Sequence, residues 1–544
     1  MPTRATAVDA DQGRRLIAQG RVADAAGGLI ETLAGGGGGE PEARLLGRLL
    51  TRLSVQPGPL VEAALQRVCA LEAIDLQPFA RALSQIVLAS PAWTRLVGAA
   101  STTGAEFPSA DAQALRSGFL PMLLSRCVNR SLPLERGLLT LRRALLAIAA
   151  SDAAAAALAL DLALQAANNE YAWPESAAET AALEAIAGGA AAGRDWDVLR
   201  WSMYRSAAEI AEFPRTDASP ALRRLAEAAL PTAAERALRA SMPRLEVPSD
   251  PTSLRVRAQY EENPYPRWLA LNPPEPGERR TAILRRAPAS SASRFAGPID
   301  VLIAGCGTGR QAIGAWLGYG VPRTMLAIDL SAASLAYAAR MAASHGCEGL
   351  EFLQADLLDI DRLDRAFDVV EAIGVLHHLR DPVLGWRRLA ERLKPGGMMQ
   401  IALYSERARQ DVVAARAEIA SLGLPADADG VRRLRGLVLE APESARDWRT
   451  SLPRFGDFFS TSGCRDLVFH VEEHRFSPAG VARALATLGL EFRGFEIPGP
   501  VQGEFLRRNP APGSLLDLDR WERFEADNPA TFAGMMTFWC RRPG

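Results

Sequence analysis

Val301-Leu302-Ile303-Ala304-Gly305-Cys306-Gly307-Thr308-Gly309 is the most informative stretch of the chain. Four apolar residues run directly into three glycines at alternate positions. The apolar run suits a buried parallel strand, and the glycines suit a tight turn that exposes bare backbone to a ligand. A helix can start immediately after them, in Arg310 to Leu317. The stretch therefore reads as the first strand–loop–helix unit of a nucleotide-binding α/β domain.

Working outward, residues downstream of 300 alternate between strand and helix patterns. Strands are expected at Asp300–Ala304, Thr324–Ile328, Leu350–Gln354, Phe367–Ala372, Met398–Tyr404, Glu491–Ile497 and Met535–Arg541. Helices fit at 309–318, 332–344, 381–393 and 477–488. Such alternation gives right-handed crossovers and an open parallel sheet that binds ligands at the carboxyl ends of its strands. Residues 406–475 interrupt it as an insertion, helical first and then aromatic, with Phe455, Phe458 and Phe459.

Upstream the chain reads differently. Residues 1–244 are rich in alanine, leucine, arginine and glutamate, in helical windows such as Arg21 to Leu33, Leu60 to Leu71, Glu135 to Ala149 and Ala177 to Ile186. Gly35 to Gly39, the Pro57–Pro59 turn, Pro108, Pro133, Pro174 and Pro214 break them. Helix pairs joined by short turns predict an all-α, repeat-like domain, an α-solenoid of loosely tetratricopeptide character. Asn168-Asn169-Glu170-Tyr171-Ala172-Trp173-Pro174 departs from this background, either as a helix end with capping groups or as the side wall of a cleft. Residues 245–299 form a connector. Within it, Tyr260-Glu261-Glu262-Asn263-Pro264-Tyr265-Pro266-Arg267-Trp268 concentrates three aromatics beside two stiffening prolines. These rings either staple the helical domain to the α/β domain or form a lid over a cofactor pocket. Pro273 to Pro298 has the composition of a mobile linker.

Composition narrows the function classes. The 544 residues carry a net charge of -1, with no basic tract, which argues against nucleic acid or an anionic membrane as partner. The six cysteines are scattered, without CxxC or zinc spacing, as in a reducing cytosol. Met1 to Ala7 lacks the apolar core of a signal peptide, and the alanine-rich run from Ala144 to Ala167 is broken by Asp152 and Asp161. A cytoplasmic location is expected.

The glycine spacing is more specific than a generic nucleotide loop. Its third glycine follows the second by two residues, whereas the dinucleotide fingerprint places it three later, where this chain has Arg310. Asp329 ends the second strand, where an acid can accept both hydroxyls of a ribose. Asp356 follows the third strand, placed to accept from an adenine amino group. Phe367-Asp368-Val369-Val370-Glu371-Ala372 leads into Ile373-Gly374-Val375-Leu376-His377-His378-Leu379, and Leu393-Lys394-Pro395-Gly396-Gly397 turns into the fifth strand. On these residues the chain resembles a class I S-adenosylmethionine-dependent methyltransferase.

The resemblance implies a Rossmann-like domain over 300–544, with seven strands in order 3-2-1-4-5-7-6 and the last antiparallel. It also implies S-adenosylmethionine as cofactor and S-adenosylhomocysteine as product. Gly305, Cys306, Gly307 and Gly309 would line the methionine portion, Asp329 and Leu330 the ribose, and Asp356 and Leu357 the adenine. Glu371 and Ile373 would lie beside the methionine amine and the departing methyl. The motif Tyr260–Trp268, with Ser460 to Asp466, His474-Arg475-Phe476, Asn528 to Phe532 and Phe538-Trp539, further resembles bacterial proteins that join tetratricopeptide-type helices to such a domain.

Methyl transfer from a sulfonium needs a base only where the nucleophile arrives protonated. Four of the five histidines fall in segments expected to frame the pocket. His377 or His378 is the candidate base or orienting group; the competing reading is that both cap their loop. In Phe469-His470-Val471-Glu472-Glu473-His474-Arg475, a helix would set His470 and His474 on one face. They are expected to contact substrate, with Tyr260, Tyr265 and Arg267, or to make structural hydrogen bonds. The HExxH order is absent and no third ligand is evident, so no metal is expected. The acceptor is expected to be O or N, on a protein or peptide recruited by the helical domain rather than on a small metabolite. The competing class is a cofactor-binding scaffold or sensor without turnover.

Overall fold

The alternation downstream of residue 300 builds one seven-stranded sheet in the computed structural model, which describes residues 6–102, 107–149, 151–210, 220–229, 233–245, 250–320, 324–442 and 444–544. Its strands are β1 (Asp300–Ala304), β2 (Thr324–Asp329), β3 (Leu350–Gln354), β4 (Phe367–Ile373), β5 (Leu393–Leu403), β6 (Glu491–Phe495) and β7 (Met536–Arg541). They are ordered β3-β2-β1-β4-β5-β7-β6. The first five run parallel, and β7 is antiparallel to both β5 and β6. This is the order and the polarity that the methyltransferase resemblance implies.

Val301 to Ala304 are fully buried, as a parallel strand covered on both faces requires. The helices that cover the sheet begin where short polar side chains can cap them: Ser331, Asp381 and Ser477 each accept from a backbone N–H of the first turn. The turn expected at Lys394–Gly397 is an irregularity inside β5, because the pairing shifts from Phe367↔Leu393 to Val369↔Met398. Lys394, the single lysine of the chain, holds this edge together through Asp300 at 2.7 Å and Asp368 at 2.9 Å.

The structure overturns the mobile linker expected at Pro273 to Pro298. Helices occupy Glu278–Leu284 and Ala289–Ala296, and Phe295 is fully buried. The reason is side-chain chemistry that a composition average hides. Arg280 donates to the carbonyls of Tyr319 at 2.7 Å and Phe295 at 3.1 Å, so one guanidinium satisfies backbone that would otherwise need water. The front of the connector is helical too, at Pro251–Glu262, with Asp250 as its cap.

By contacts the chain divides into two units. One comprises Met1–Leu230, Trp268–Asn272 and Leu424–Cys464; the other comprises Pro231–Arg267, Pro273–Gly423 and Arg465–Gly544. Three segments therefore group differently from a linear reading: 231–244 joins the α/β unit, while Trp268–Asn272 of the connector and most of the insertion join the helical unit. Among the described residues the helical unit is built from helices of uneven length, from 4 residues at Trp448–Ser451 to 16 at Leu132–Ala147. The Pro214 break lies outside the described residues.

The Asn168–Pro174 stretch ends the helix Ala153–Asn168, with Glu170 and Tyr171 both left-handed at φ 58° and 57°. The Glu170 carboxylate accepts from the Ser462 backbone N–H at 2.7 Å and its hydroxyl at 2.6 Å. Nearby, Arg435 is fully buried and bonds the Glu135 carboxylate and the Phe458 carbonyl. These are the contacts that seat Leu424–Cys464 on the upstream helices.

Candidate active site

The site forms where β1 ends. Gly305, Gly307 and Gly309 all have positive φ, at 69°, 52° and 83°. At Gly307 the turn also leaves no room: a Cβ there would lie 2.4 Å from the Tyr265 carbonyl oxygen. That carbonyl accepts from the Thr308 N–H at 3.1 Å, and the Thr308 hydroxyl donates to the Pro266 carbonyl at 2.6 Å. The connector is thus fastened directly to the glycine loop. Ser331 repeats the pattern from the second loop, its hydroxyl donating to the Tyr260 carbonyl at 3.0 Å.

Between these segments and the carboxyl edge of the sheet lies a cavity of about 230 Å³. Gly305, Cys306, Gly307 and Ile373 line it from β1 and β4, and Asp329, Leu330, Asp356 and Leu357 from β2 and β3. Asp329 accepts from the Gly307 N–H at 2.8 Å and the Ser331 N–H at 2.9 Å. Burial nevertheless pushes its carboxyl up to about 6. Asp356 accepts from the Leu358 N–H at 2.9 Å and from Ser253, and burial raises it as well. Each carboxylate keeps lone pairs beyond those bonds, so both can accept further hydrogen bonds from a ligand.

Two expected cofactor residues stand back from the cavity. Gly309 caps the helix Arg310–Tyr319 and abuts Ala338. Glu371 is fully buried and engaged on both oxygens: Arg279 reaches each at 2.6 Å, Tyr319 Oη donates at 2.6 Å and Gln311 Nε2 at 2.9 Å. Arg279, on a helix unforeseen in the linker reading, is the partner of the Glu371 carboxylate that was expected beside a methionine amine. Gln311 faces the cavity instead.

The histidines separate sharply. His378 lines the cavity, whereas His377 is fully buried behind it, packed on Tyr404 at 3.9 Å with neither ring nitrogen hydrogen-bonded. Burial and then His378 hold His377 well below the usual histidine range, so its ring stays neutral, away from the cavity wall. His470 and His474 do not share a helix face, since the helix Thr461–Val468 ends before them. Their segment runs extended, the His474 N–H donating to the His377 carbonyl at 2.8 Å and the Phe476 N–H to Tyr404 at 2.9 Å. His474 turns to Glu472 at 3.4 Å and is absent from the cavity wall, while His470 stacks on His378 at 3.6 Å.

Of the connector residues, Tyr260 and Tyr265 line the cavity. Arg267 does not; it lies beside Tyr337, and its Nε makes no hydrogen bond. Sequence reasoning missed Gln311, Tyr404, Asp466, Met535 and the helix face of Thr252, Ser253 and Val256, all of which line the cavity. Tyr404 closes an expected strand and Asp466 ends a noted motif, so both carried a signal. The helix face carried none, because its segment read as a linker.

Residues 301–397 match the family model of a methyltransferase domain. An uncharacterized protein of Synechococcus sp. is 29% identical over 285 residues, 51% of this chain and 68% of its own length. Methyltransferase GfsG of Streptomyces halstedii is 32% identical over 165 residues, 29% of this chain and 57% of its own. Among solved structures, PKMT2 from Rickettsia typhi in complex with AdoHcy is 15% identical with a TM-score of 0.34, covering 54% of this chain and 52% of that one. The chain thus spans little more than half of the latter two proteins.

The α/β unit contains a methyltransferase domain over residues 301–397 and has the strand order of the class I methyltransferase fold. Its cavity suits S-adenosylmethionine: bare glycine backbone lies at the first loop, and buried carboxylates with lone pairs to spare follow β2 and β3. Among the described residues no helix is long and apolar enough to cross a membrane.

Proposed function

We propose that the chain is a methyltransferase that methylates O or N of an acceptor held against His378, Tyr404 and Tyr260. One observation carries the reading: a single cavity joins the glycine loop, Asp329 and Asp356 to these three side chains. Asp329 would hold the ribose and Asp356 the adenine, and the sulfonium supplies the methyl group. The chain's own residues orient the acceptor and exclude water, which can supply much of the rate enhancement.

His378 is the residue that takes the acceptor proton. Its Nδ1 donates to the Glu472 carbonyl at 2.8 Å, which leaves Nε2 bare. Burial lowers it to about 4, so the ring is neutral at physiological pH and ready to accept. A protein or peptide is the favoured acceptor, because some 270 residues in the helical unit lie outside the chemistry. Incubation with methyl-labelled cofactor and bacterial lysate tests the reading. Label incorporated by the natural chain and lost in Asp329→Ala supports it; equal incorporation by both, or none by either, refutes it in favour of a binding protein.

A further inference from the structure

The backbone of one residue addresses both His378, which lines the cavity, and His470, which stacks on it outside the lining. The Glu472 carbonyl faces His378 Nδ1 at 2.8 Å, and because a carbonyl only accepts, that nitrogen carries the proton. The Glu472 N–H donates to His470 Nδ1 at 3.1 Å, so that nitrogen is bare. Burial pushes both rings below the usual histidine range, which keeps them neutral. A neutral imidazole has one donor and one acceptor nitrogen. His378 therefore has a bare Nε2, and His470 carries its proton on Nε2.

The next contacts agree with that assignment. His470 Nε2 lies 3.1 Å from Tyr260 Oη, which accepts its proton, and the Tyr260 hydroxyl donates onward to Asp466 Oδ1 at 2.6 Å. No donor faces a donor anywhere along the chain of bonds. Ligand atoms of His378, Asp466 and His470 lie within 4.8 Å of one another, a spacing open to a metal ion. With His470 Nε2 protonated and its Nδ1 already bonded, that ring has no lone pair to give.

We propose that the Glu472 backbone locks His378 and His470 into opposite tautomers, and that the cavity therefore selects acceptors bearing their own proton: alcohols, phenols or neutral amines, not carboxylates. The inference rests on the methyltransferase reading above. Beside Tyr260 and Tyr404, the wall presents to an acceptor the lone pair of His378 Nε2 and the carboxylate of Asp466. A carboxylate acceptor would meet like charge there, whereas a hydroxyl or N–H donates to His378. As the acceptor is methylated, its O–H or N–H bond breaks and an N–H bond forms at His378 Nε2. The positive charge that arrived on sulfur remains on the imidazolium. Glu473 favours that cation, while Arg409 and Arg416 oppose it. His470 is a positioning residue, acting through His378 and Tyr260.

Nitrogen-15 NMR on the full chain labelled only at histidine tests this directly, with five histidines assigned by single His→Gln substitutions. The expected result at pH 7 is His378 protonated on Nδ1 alone and His470 on Nε2 alone. Protonation of His378 on Nε2, or on both nitrogens, overturns the proposal. In the lysate assay, methyl ethers and methylamines withstand alkali, while methyl esters of carboxylates release volatile methanol. Label that stays at least tenfold more in the non-volatile fraction supports the acceptor class. Label that is mostly volatile overturns it and leaves the methyltransferase reading intact. Absence of any label counts against that reading, and the tautomers still decide the lock.

Discussion

Asp329 does two jobs that pull against each other. It braces the glycine loop through the Gly307 N–H, and it waits as an acceptor in a cavity where burial holds its carboxyl at about 6. A ligand whose hydroxyls donate to it favours the ionised form, so binding must expel the proton below that value. Affinity for S-adenosylhomocysteine is therefore expected to hold from pH 8 to about 6 and to fall up to about tenfold per unit below it. Titration calorimetry across this range checks it, and Asp329→Ala should bind weakly with no such slope. Gly307→Ala meets two obstacles together, a φ of 52° and the Tyr265 carbonyl 2.4 Å from its Cβ. Loss of detectable cofactor binding, in a chain whose circular dichroism is unchanged, is the expected outcome. That Gly305, Gly307 and both aspartates would face one pocket was legible from the sequence, because their placement depends on local turn geometry at strand ends. Glu371 was not, since its occupant is an arginine 92 residues away in sequence.

At the scale of elements, the helix Glu278–Leu284 behaves as part of the domain. Arg279 neutralises Glu371, which is fully buried, and Arg280 ties the carbonyls of two helix ends, Tyr319 and Phe295. Removing one partner of a buried pair leaves an uncompensated charge, at a cost of about 3–5 kcal/mol. Arg279→Met is thus expected to lower the thermal midpoint strongly, and adding Glu371→Gln to recover most of the loss; differential scanning fluorimetry on the single and double variants decides it. A hydrophobic pattern could not forecast this helix, because what holds it is arginine bonded to carbonyls rather than an apolar stripe. The segment His470–Phe476 shows the converse. Its spacing allowed a helix, yet its backbone bonds go to His377 and Tyr404, and the extended path carries His470 to His378 while leaving His474 outside.

At the scale of the molecule, the helical unit is discontinuous in sequence. Arg435 pairs with Glu135, 300 residues earlier, and Ser462 with Glu170, 292 residues earlier. Deleting residues 1–230 to obtain a free catalytic domain would strand Arg435 and the buried rings of Phe458 and Phe459. Such a truncation is expected to be insoluble, and a second one that also replaces Leu424–Cys464 with a short linker to recover soluble protein; expression and gel filtration distinguish the two. By itself the sequence determined where the strands lie, the glycine loop and the acids after β2 and β3, because apolar runs and turn chemistry act within a few residues; the strand order followed from the resemblance those motifs carry. Only the tertiary structure decided which histidine meets the cavity, what satisfies Glu371 and where the insertion packs. Each of those depends on polar groups far apart in sequence finding one another once water has been excluded, and no local pattern encodes such a pairing.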